Sequence, residues 1–141
     1  MRCVMNKIVE KNFFNDKERI LVMDYDETVR EITQKVLTHL GYNVELARDN
    51  SEAIDLYRKF HKSDYPFSAV ILDIIIYDIV ETKKTFEKLL EIDPDVKVIF
   101  LSGYLKREII EDFKEYKTCY FLTKPFKILD IKKILQEVIN H

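Results

Sequence analysis

Reactive side chains stand at the ends of four short apolar segments of this 141-residue sequence. Carboxylates a few ångströms apart repel each other by about 4 kcal/mol per pair at an effective dielectric constant of roughly 20, and a divalent cation such as Mg²⁺ removes this repulsion. A carboxylate beside Mg²⁺ and a lysine ammonium can attack a phosphoryl group, because the cations neutralise the transferring oxygens while a hydroxyl donates a hydrogen bond. The set therefore predicts formation of an aspartyl phosphate. Its members are, in chain order, Asp24, Asp26, Glu27, Asp73, Ser102, Thr123 and Lys124.

Parallel strands would bring these side chains to one edge of a sheet. From Arg19 onward, β-branched apolar segments alternate with segments of helical period, which predicts strands joined by crossover helices. In such sheets ligands bind at the carboxyl ends of the strands, where the reactive residues lie. The predicted fold class is α/β, a doubly wound five-stranded parallel sheet flanked by five helices. The predicted strands are 20–23, 43–46, 69–72, 96–101 and 119–122, and the helices are 27–40, 50–60, 82–92, 106–116 and 128–139, with Gly41 just past the first helix.

The composition predicts one cytoplasmic domain, residues 19–141, after an N-terminal extension, residues 1–18. The extension carries apolar residues at helical spacing, which fits either a frayed segment or a helix that binds a partner or dimerises. The formal charge of −2 gives no general attraction to nucleic acid or to an anionic membrane. The apolar segments are too short to span a bilayer, and the N-terminus is too polar for a secretory signal.

Two further site types are excluded by residue usage. Cys3 and Cys119 lie far apart without a CxxC motif or neighbouring histidines, so we expect neither a disulfide framework nor a zinc site. The two glycines of the chain, Gly41 and Gly103, do not form a glycine-rich nucleotide loop.

Five stretches of the sequence together resemble the receiver domain of two-component response regulators and of hybrid histidine kinases. They occur in the order and spacing of that family, and the resemblance extends over residues 19–141, which is nearly the whole chain. The stretches are RILVMDYDETVRE, DNSEAIDLY, AVILD, KLLEIDPDVKVIFLSGY and FLTKPF.

The resemblance implies a flavodoxin-like fold of the receiver type and a role for each matching residue. Asp73 is then the phosphoacceptor, and Asp24 is an acidic residue of the Mg²⁺ site. Ser102 is the hydroxyl that follows the phosphoryl group, and Lys124 is the ion-pair partner. The backbone carbonyl of Ile75 is a further Mg²⁺ ligand, the peptide bond before Pro125 is cis, and Phe121 occupies the aromatic switch position.

The resemblance also implies a regulatory function rather than an enzymatic one. We expect a stand-alone receiver that takes a phosphoryl group from a histidine kinase or a phosphotransfer protein, with Mg²⁺. The signal would then leave by contact with a downstream protein or by homodimerisation, through the face formed by the predicted fourth helix, the fifth strand and the last helix. We expect no direct binding of nucleic acid or membrane.

The sequence departs from the family pattern at two places. Receivers usually have two adjacent acids after the first strand, whereas here Tyr25 follows Asp24 and the next acid is Asp26. Asp26 could supply the second carboxylate, or Asp24 and Asp73 could hold Mg²⁺ more weakly, and we favour weakened binding. The loop after Asp73 reads IIIYDIVETK in place of a Pro- and Gly-rich segment. A degenerate receiver that acts as a phosphorylation-independent binding module is therefore an alternative.

A second alternative comes from the motif Asp24-Tyr25-Asp26-Glu27-Thr28, which resembles the DxDxT motif of haloacid-dehalogenase-type phosphatases. Asp24 would be the nucleophile there and Asp26 the general acid. That family needs a further acidic cluster on a strand after the lysine, and here the final amphipathic helix takes up that part of the chain. The phosphatase reading is the weaker alternative.

Overall fold

A five-stranded parallel sheet forms the centre of the computed structural model, which describes residues 17–74, 79–103, 110, 111, 113, 116 and 118–140. The strand order is β2-β1-β3-β4-β5, with every neighbouring pair parallel. The chain adds β2 on one side of β1 and β3, β4 and β5 on the other, so the strand order reverses between β1 and β3, which is where doubly wound sheets bind ligands. The strands are β1 (Arg19–Met23), β2 (Asn43–Ala47), β3 (Phe67–Asp73), β4 (Val98–Ser102) and β5 (Cys119–Thr123).

Four helices with defined bounds cover the two faces of the sheet in the described part of the chain. Ile110, Glu111 and Phe113 are also helical, and Tyr116, at the end of the helix predicted over 106–116, is not; the other residues of that span lie outside the described residues. The predicted extension, residues 1–18, is likewise outside them except for its last two residues. The four helices are α1 (Glu27–His39), α2 (Asn50–His61), α3 (Ile79–Ile92) and α4 (Ile128–Ile139).

The C-terminal end of α1 follows the local sequence signal, whereas the start of α3 does not. Gly41 follows the C-cap residue of α1 with φ of 99°, as predicted, because a residue without a Cβ adopts this left-handed conformation at least cost. Helix α3 begins at Ile79, three residues before its predicted start at Thr82. Ile79 packs against the core, and Thr82 is buried inside the helix, so tertiary packing extends the helix beyond its polar start signal.

Both faces of the sheet are buried, as the continuous hydrophobicity of β1, β3 and β4 predicts. One face packs against α2 and α3 and contains an aromatic cluster in which Phe100 contacts Phe86, Phe113 and Phe121. The other face packs against α1 and α4. The two layers fix the strand ends rigidly, and these ends carry the predicted reactive residues. Among the described helices, none has the length and apolarity that crossing a bilayer requires.

Candidate functional site

The two acids Asp24 and Asp73 lie side by side at the carboxyl ends of the neighbouring strands β1 and β3. Met23 pairs with Leu72 in the sheet, so the residues that follow them emerge at the same edge. Asp24 is 2% exposed, and the side chain of Asp73 is 12% exposed. Two acids in so little water need a positive partner, because an unpaired charge loses its hydration on burial.

Lys124 supplies that positive charge to both acids. Its Nζ donates to Asp24 Oδ2 at 2.8 Å and to Asp73 Oδ1 at 2.9 Å. The Lys124 amide donates to the carbonyl of Ser102 at 2.7 Å, and this bond holds the lysine at the end of β5. The Lys124–Pro125 peptide bond is cis, as the resemblance implied. The structure thus brings together three of the predicted site residues in one hydrogen-bonded group.

Asp24, Asp73 and Lys124 form a triad. Burial and the charges of the three groups on one another determine the pKa values of Asp73 and Lys124. Burial raises the pKa of Asp73, the hydrogen bond from Lys124 lowers it, and the charge of Asp24 raises it, with a net rise above its ordinary value. For Lys124, burial alone would lower the pKa, but the hydrogen bonds and charges of Asp24 and Asp73 outweigh it and raise the pKa. The lysine is therefore fully charged at neutral pH, which a phosphate-binding cation requires.

The loop between β1 and α1, residues 24–26, is closed by its own side chains. The Asp26 amide donates to Asp24 Oδ1 at 2.9 Å. Asp26 is the N-cap of α1, and its Oδ1 accepts from the amides of Thr28 at 2.9 Å and Val29 at 3.2 Å. An aspartate just before a helical apolar period is an N-cap signal, so this contact was predictable from the sequence. The hydrogen bonds at the start of α1 thus already occupy Asp26 Oδ1.

Tyr25 lies in this loop, and Arg30 of α1 binds to it. Tyr25 is 41% exposed, so the side chain that stands where receivers usually have a second acid is partly in solvent. Arg30, the fourth residue of α1, donates from Nη1 to the carbonyl of Asp24 at 2.7 Å. We did not single out Arg30 in the sequence, because a side-chain contact to a loop carbonyl leaves no pattern in residue spacing.

Ser102 and Thr123 end the neighbouring strands β4 and β5, where they are paired in the sheet. Ser102 is fully buried and Thr123 is exposed. Phe121, two residues before Thr123, is partly buried and stacks on Phe100 with 5.5 Å between ring centroids. The serine therefore ends β4, the strand between β3, which ends at Asp73, and β5, which carries Phe121 and is followed by Lys124.

The donor set of this edge fits a weakly held Mg²⁺. Within the described residues, no third His, Cys, Asp or Glu joins Asp24 and Asp73 to form a cluster of metal-binding side chains. Mg²⁺ in proteins commonly has one or two carboxylate ligands and keeps several waters, so two acids are sufficient. Three of their four carboxylate oxygens already accept hydrogen bonds, two of them from Lys124. The predicted ligand at Ile75 lies outside the described residues.

An apolar groove borders the triad on the α1 and α4 side. Its volume is about 600 Å³, which lies within the range of small-molecule pockets. Lys124 lines one end of the groove, and Ile32 and Ile128, each about half exposed, line its rim. The edge that carries the acids is therefore adjacent to an accessible apolar surface.

Comparisons with known proteins show which family and fold this chain resembles. The sequence model of the response regulator receiver domain matches residues 20–136. The response regulator receiver protein CpdR of Brucella abortus is 25% identical over 122 residues, which cover 86% of this chain and 97% of that protein. The two-component response regulator ARR12 of Arabidopsis thaliana is 29% identical over 122 residues, but the chain spans only 20% of its length.

Solved structures show the same fold. A CheY-like receiver domain from Methanospirillum hungatei superposes with a TM-score of 0.75 at 24% identity, over 88% of this chain and 94% of that one. A response regulator from Thermotoga maritima also gives a TM-score of 0.75, at 21% identity, over 89% of this chain and 99% of that one. The flavodoxin-like, receiver-type sheet predicted from the sequence is thereby confirmed.

Proposed function

Because the chain belongs to the response regulator receiver domain family, we propose that it accepts a phosphoryl group on Asp73. The observation that supports this most strongly is the triad, in which one ammonium donates to Asp24 and to Asp73 at once. A largely buried acid held by a lysine at the carboxyl edge of a parallel sheet is arranged as a nucleophile with its charge partner in place. The family is regulatory, so we propose a signalling role and no metabolic turnover.

The proposed transfer forms one bond and breaks one. A carboxylate oxygen of Asp73 attacks the phosphorus of a phosphohistidine, the P–N bond breaks, and the imidazole leaves with the electron pair. Lys124 stabilises the charge on the transferring oxygens, and Asp24 holds Lys124 in place. Asp73 must be ionised to attack, and the hydrogen bond from Lys124 opposes the rise that burial causes in its pKa.

Receiver domains generally bind Mg²⁺ at the phosphorylation site, and we propose that Asp24 and Asp73 hold it here, with the Ile75 carbonyl as a further ligand. When bound, the ion adds positive charge next to the phosphoryl oxygens. The Asp26→Asn variant tests whether Asp26 adds a further carboxylate to this site.

We propose a histidine kinase or a phosphotransfer protein as the phosphodonor and the cytoplasm as the location. The donor must bring its phosphohistidine to the edge that carries Asp73, and the apolar groove beside Lys124 is a surface that such a protein can cover. For output, we propose contact with a downstream protein or a second copy through the face that includes β5 and α4.

The output depends on Ser102 in this proposal. Phosphorylation adds a charge of about −1.5 to −2, which draws the Ser102 hydroxyl and Lys124 toward the phosphoryl oxygens. Because Phe121 stacks on Phe100 of the same strand as Ser102, movement at the end of β4 reaches the aromatic ring through direct packing.

We therefore expect Ser102→Ala to accept the phosphoryl group but to lose most of the resulting change at Phe121. The measurement is the change in the Phe121 amide signal in ¹H–¹⁵N NMR spectra on phosphorylation, with Ser51→Ala, an exposed serine in α2, as the control. An equal change at Phe121 in wild type and in Ser102→Ala would rule out this coupling.

The proposed function itself is tested with phosphoramidate, a small phosphodonor, and Mg²⁺, followed by intact mass measurement. We expect one phosphoryl group per chain, which persists on the time scale of the measurement. Steady release of phosphate that depends on Asp24 would favour the phosphatase alternative. No adduct under any condition would favour the degenerate binding module.

A further inference from the structure

The orientation of the Asp24 carboxylate depends on three hydrogen bonds besides the one to Lys124. The Asp24 amide donates to the carbonyl of Ala47 at 3.3 Å, in continuation of the sheet. Its Oδ1 accepts from the Asp26 amide at 2.9 Å, and its carbonyl accepts from Arg30 Nη1 at 2.7 Å. The residue is thus held at its amide, its side chain and its carbonyl.

The Arg30 bond is the contact that fixes the peptide unit between Asp24 and Tyr25. This peptide lies beyond Met23 of β1 and Ala47 of β2, the last paired residues of the two strands, so the sheet does not hold its carbonyl. A guanidinium donor makes a charge-assisted hydrogen bond, which is stronger than one between neutral groups. If the peptide rotates, the following amide of Asp26 moves away from Asp24 Oδ1, and the carboxylate is free to turn.

We propose that Arg30 is a positioning residue for the phosphoacceptor site, acting through the backbone of Asp24. By fixing the Asp24–Tyr25 peptide, Arg30 keeps Oδ1 on the Asp26 amide and so keeps Oδ2 directed at Lys124. Small displacements of the groups at a reacting centre greatly lower the reaction rate. A fixed Asp24 carbonyl therefore helps to keep the phosphoacceptor site in its reactive geometry. This inference rests on the proposed function for its consequence on phosphorylation, while its structural part can be tested without any phosphodonor.

The structural test is solvent exchange of backbone amides, measured by NMR in wild type and Arg30→Met. We expect the Asp26 amide to exchange about tenfold faster in Arg30→Met, because its hydrogen bond to Asp24 Oδ1 is then held less often. The amides of Thr28 and Val29, which are bonded to Asp26 Oδ1, serve as internal references and should keep their wild-type exchange rates. Faster exchange at all three amides would show fraying of α1 and would overturn the proposal.

The functional test is the rate of phosphorylation by phosphoramidate as a function of Mg²⁺ concentration. For Arg30→Met we expect the half-saturating Mg²⁺ concentration to rise about threefold to tenfold, with partial recovery in Arg30→Lys, which keeps one donor. Arg58→Met, an exposed arginine of α2, is the matched control and should behave as wild type.

The outcomes separate two claims, that Arg30 positions Asp24 and that Asp73 accepts a phosphoryl group. An unchanged Asp26 exchange rate in Arg30→Met overturns the inference whatever the phosphorylation data show. Faster Asp26 exchange with phosphorylation like that of Arg58→Met also overturns it, since Arg30 would then hold the loop without positioning the acid. If wild type takes no phosphoryl group, the proposed function is wrong, and the exchange data alone decide whether Arg30 positions Asp24.

Discussion

Replacing Asp73 with asparagine is expected to abolish phosphorylation of the chain by phosphoramidate. The amide oxygen of asparagine has nearly the same shape as the carboxylate oxygen but is a far weaker nucleophile, so no stable acyl phosphate forms. The loss should be complete within the detection limit of intact mass measurement, because Asp73 is the acid that the triad holds beside Lys124 at the strand edge.

Two controls make the Asp73→Asn result specific. Asp64→Asn removes an exposed acid in the loop before β3 and should leave the adduct at its wild-type level. Asp24→Asn should slow phosphorylation without moving the adduct to another residue. If Asp73→Asn still took up one phosphoryl group while Asp24→Asn took up none, Asp24 would be the nucleophile.

Replacing Lys124 with methionine is expected to tighten Mg²⁺ binding about tenfold. The ammonium occupies one oxygen of each acid, at 2.8 Å from Asp24 and 2.9 Å from Asp73, so it competes with a cation for them. Without it the two carboxylates repel each other by about 4 kcal/mol at a separation of about 4 Å, and release of part of this repulsion on metal binding suffices for a tenfold gain. The measurement is calorimetric titration with Mg²⁺.

In the absence of Mg²⁺, Lys124→Met should lower the free energy of unfolding by about 2 kcal/mol at pH 7. This is less than a fully buried pair would lose, because the lysine side chain is 22% exposed. The folded-state pKa of Lys124 is raised above its ordinary value of 10.5, so its stabilising contribution is complete below that pH. The contribution is lost as pH rises through the folded-state pKa, so the difference between wild type and variant should close only above pH 10.5.

Matched variants separate the role of Lys124 from general charge effects. Lys127→Met removes an exposed positive charge three residues away and should leave Mg²⁺ affinity nearly unchanged. Asp26→Asn removes an acid from the β1–α1 loop while keeping an equally good N-cap, so we expect wild-type affinity there as well. A large loss of Mg²⁺ affinity in Asp26→Asn would identify Asp26 as a further carboxylate ligand beside Asp24 and Asp73. Weaker or unchanged Mg²⁺ binding in Lys124→Met would contradict the competition.

The assembly of the site was predictable because it depends on strand ends. Continuous hydrophobicity identified β1, β3 and β4 as strands covered on both faces, and parallel pairing then brings Asp24, Asp73 and Ser102 to one edge. Lys124 follows the fifth strand, so the same rule applies to it. These predictions needed only the pattern of apolar residues in each strand and the residue at which that pattern ends.

The details of the β1–α1 loop were not predicted, for a different reason. The start of α1 after Asp26 is a local signal and was available in the sequence. The hydrogen bond from Arg30 to the Asp24 carbonyl depends on the orientation of α1 relative to the sheet. Packing between elements far apart in the chain determines this orientation. The early start of α3 at Ile79 has the same origin, since burial against the core determines it.

Direct localisation of the phosphoryl group tests the central claim most sharply. Borohydride reduces an aspartyl phosphate to homoserine, which tandem mass spectrometry of the proteolysed chain assigns to a single position. The account predicts homoserine at position 73 in chains treated with phosphoramidate and Mg²⁺, and none in untreated chains. Homoserine at position 24, or an adduct on a residue outside the triad, would contradict it.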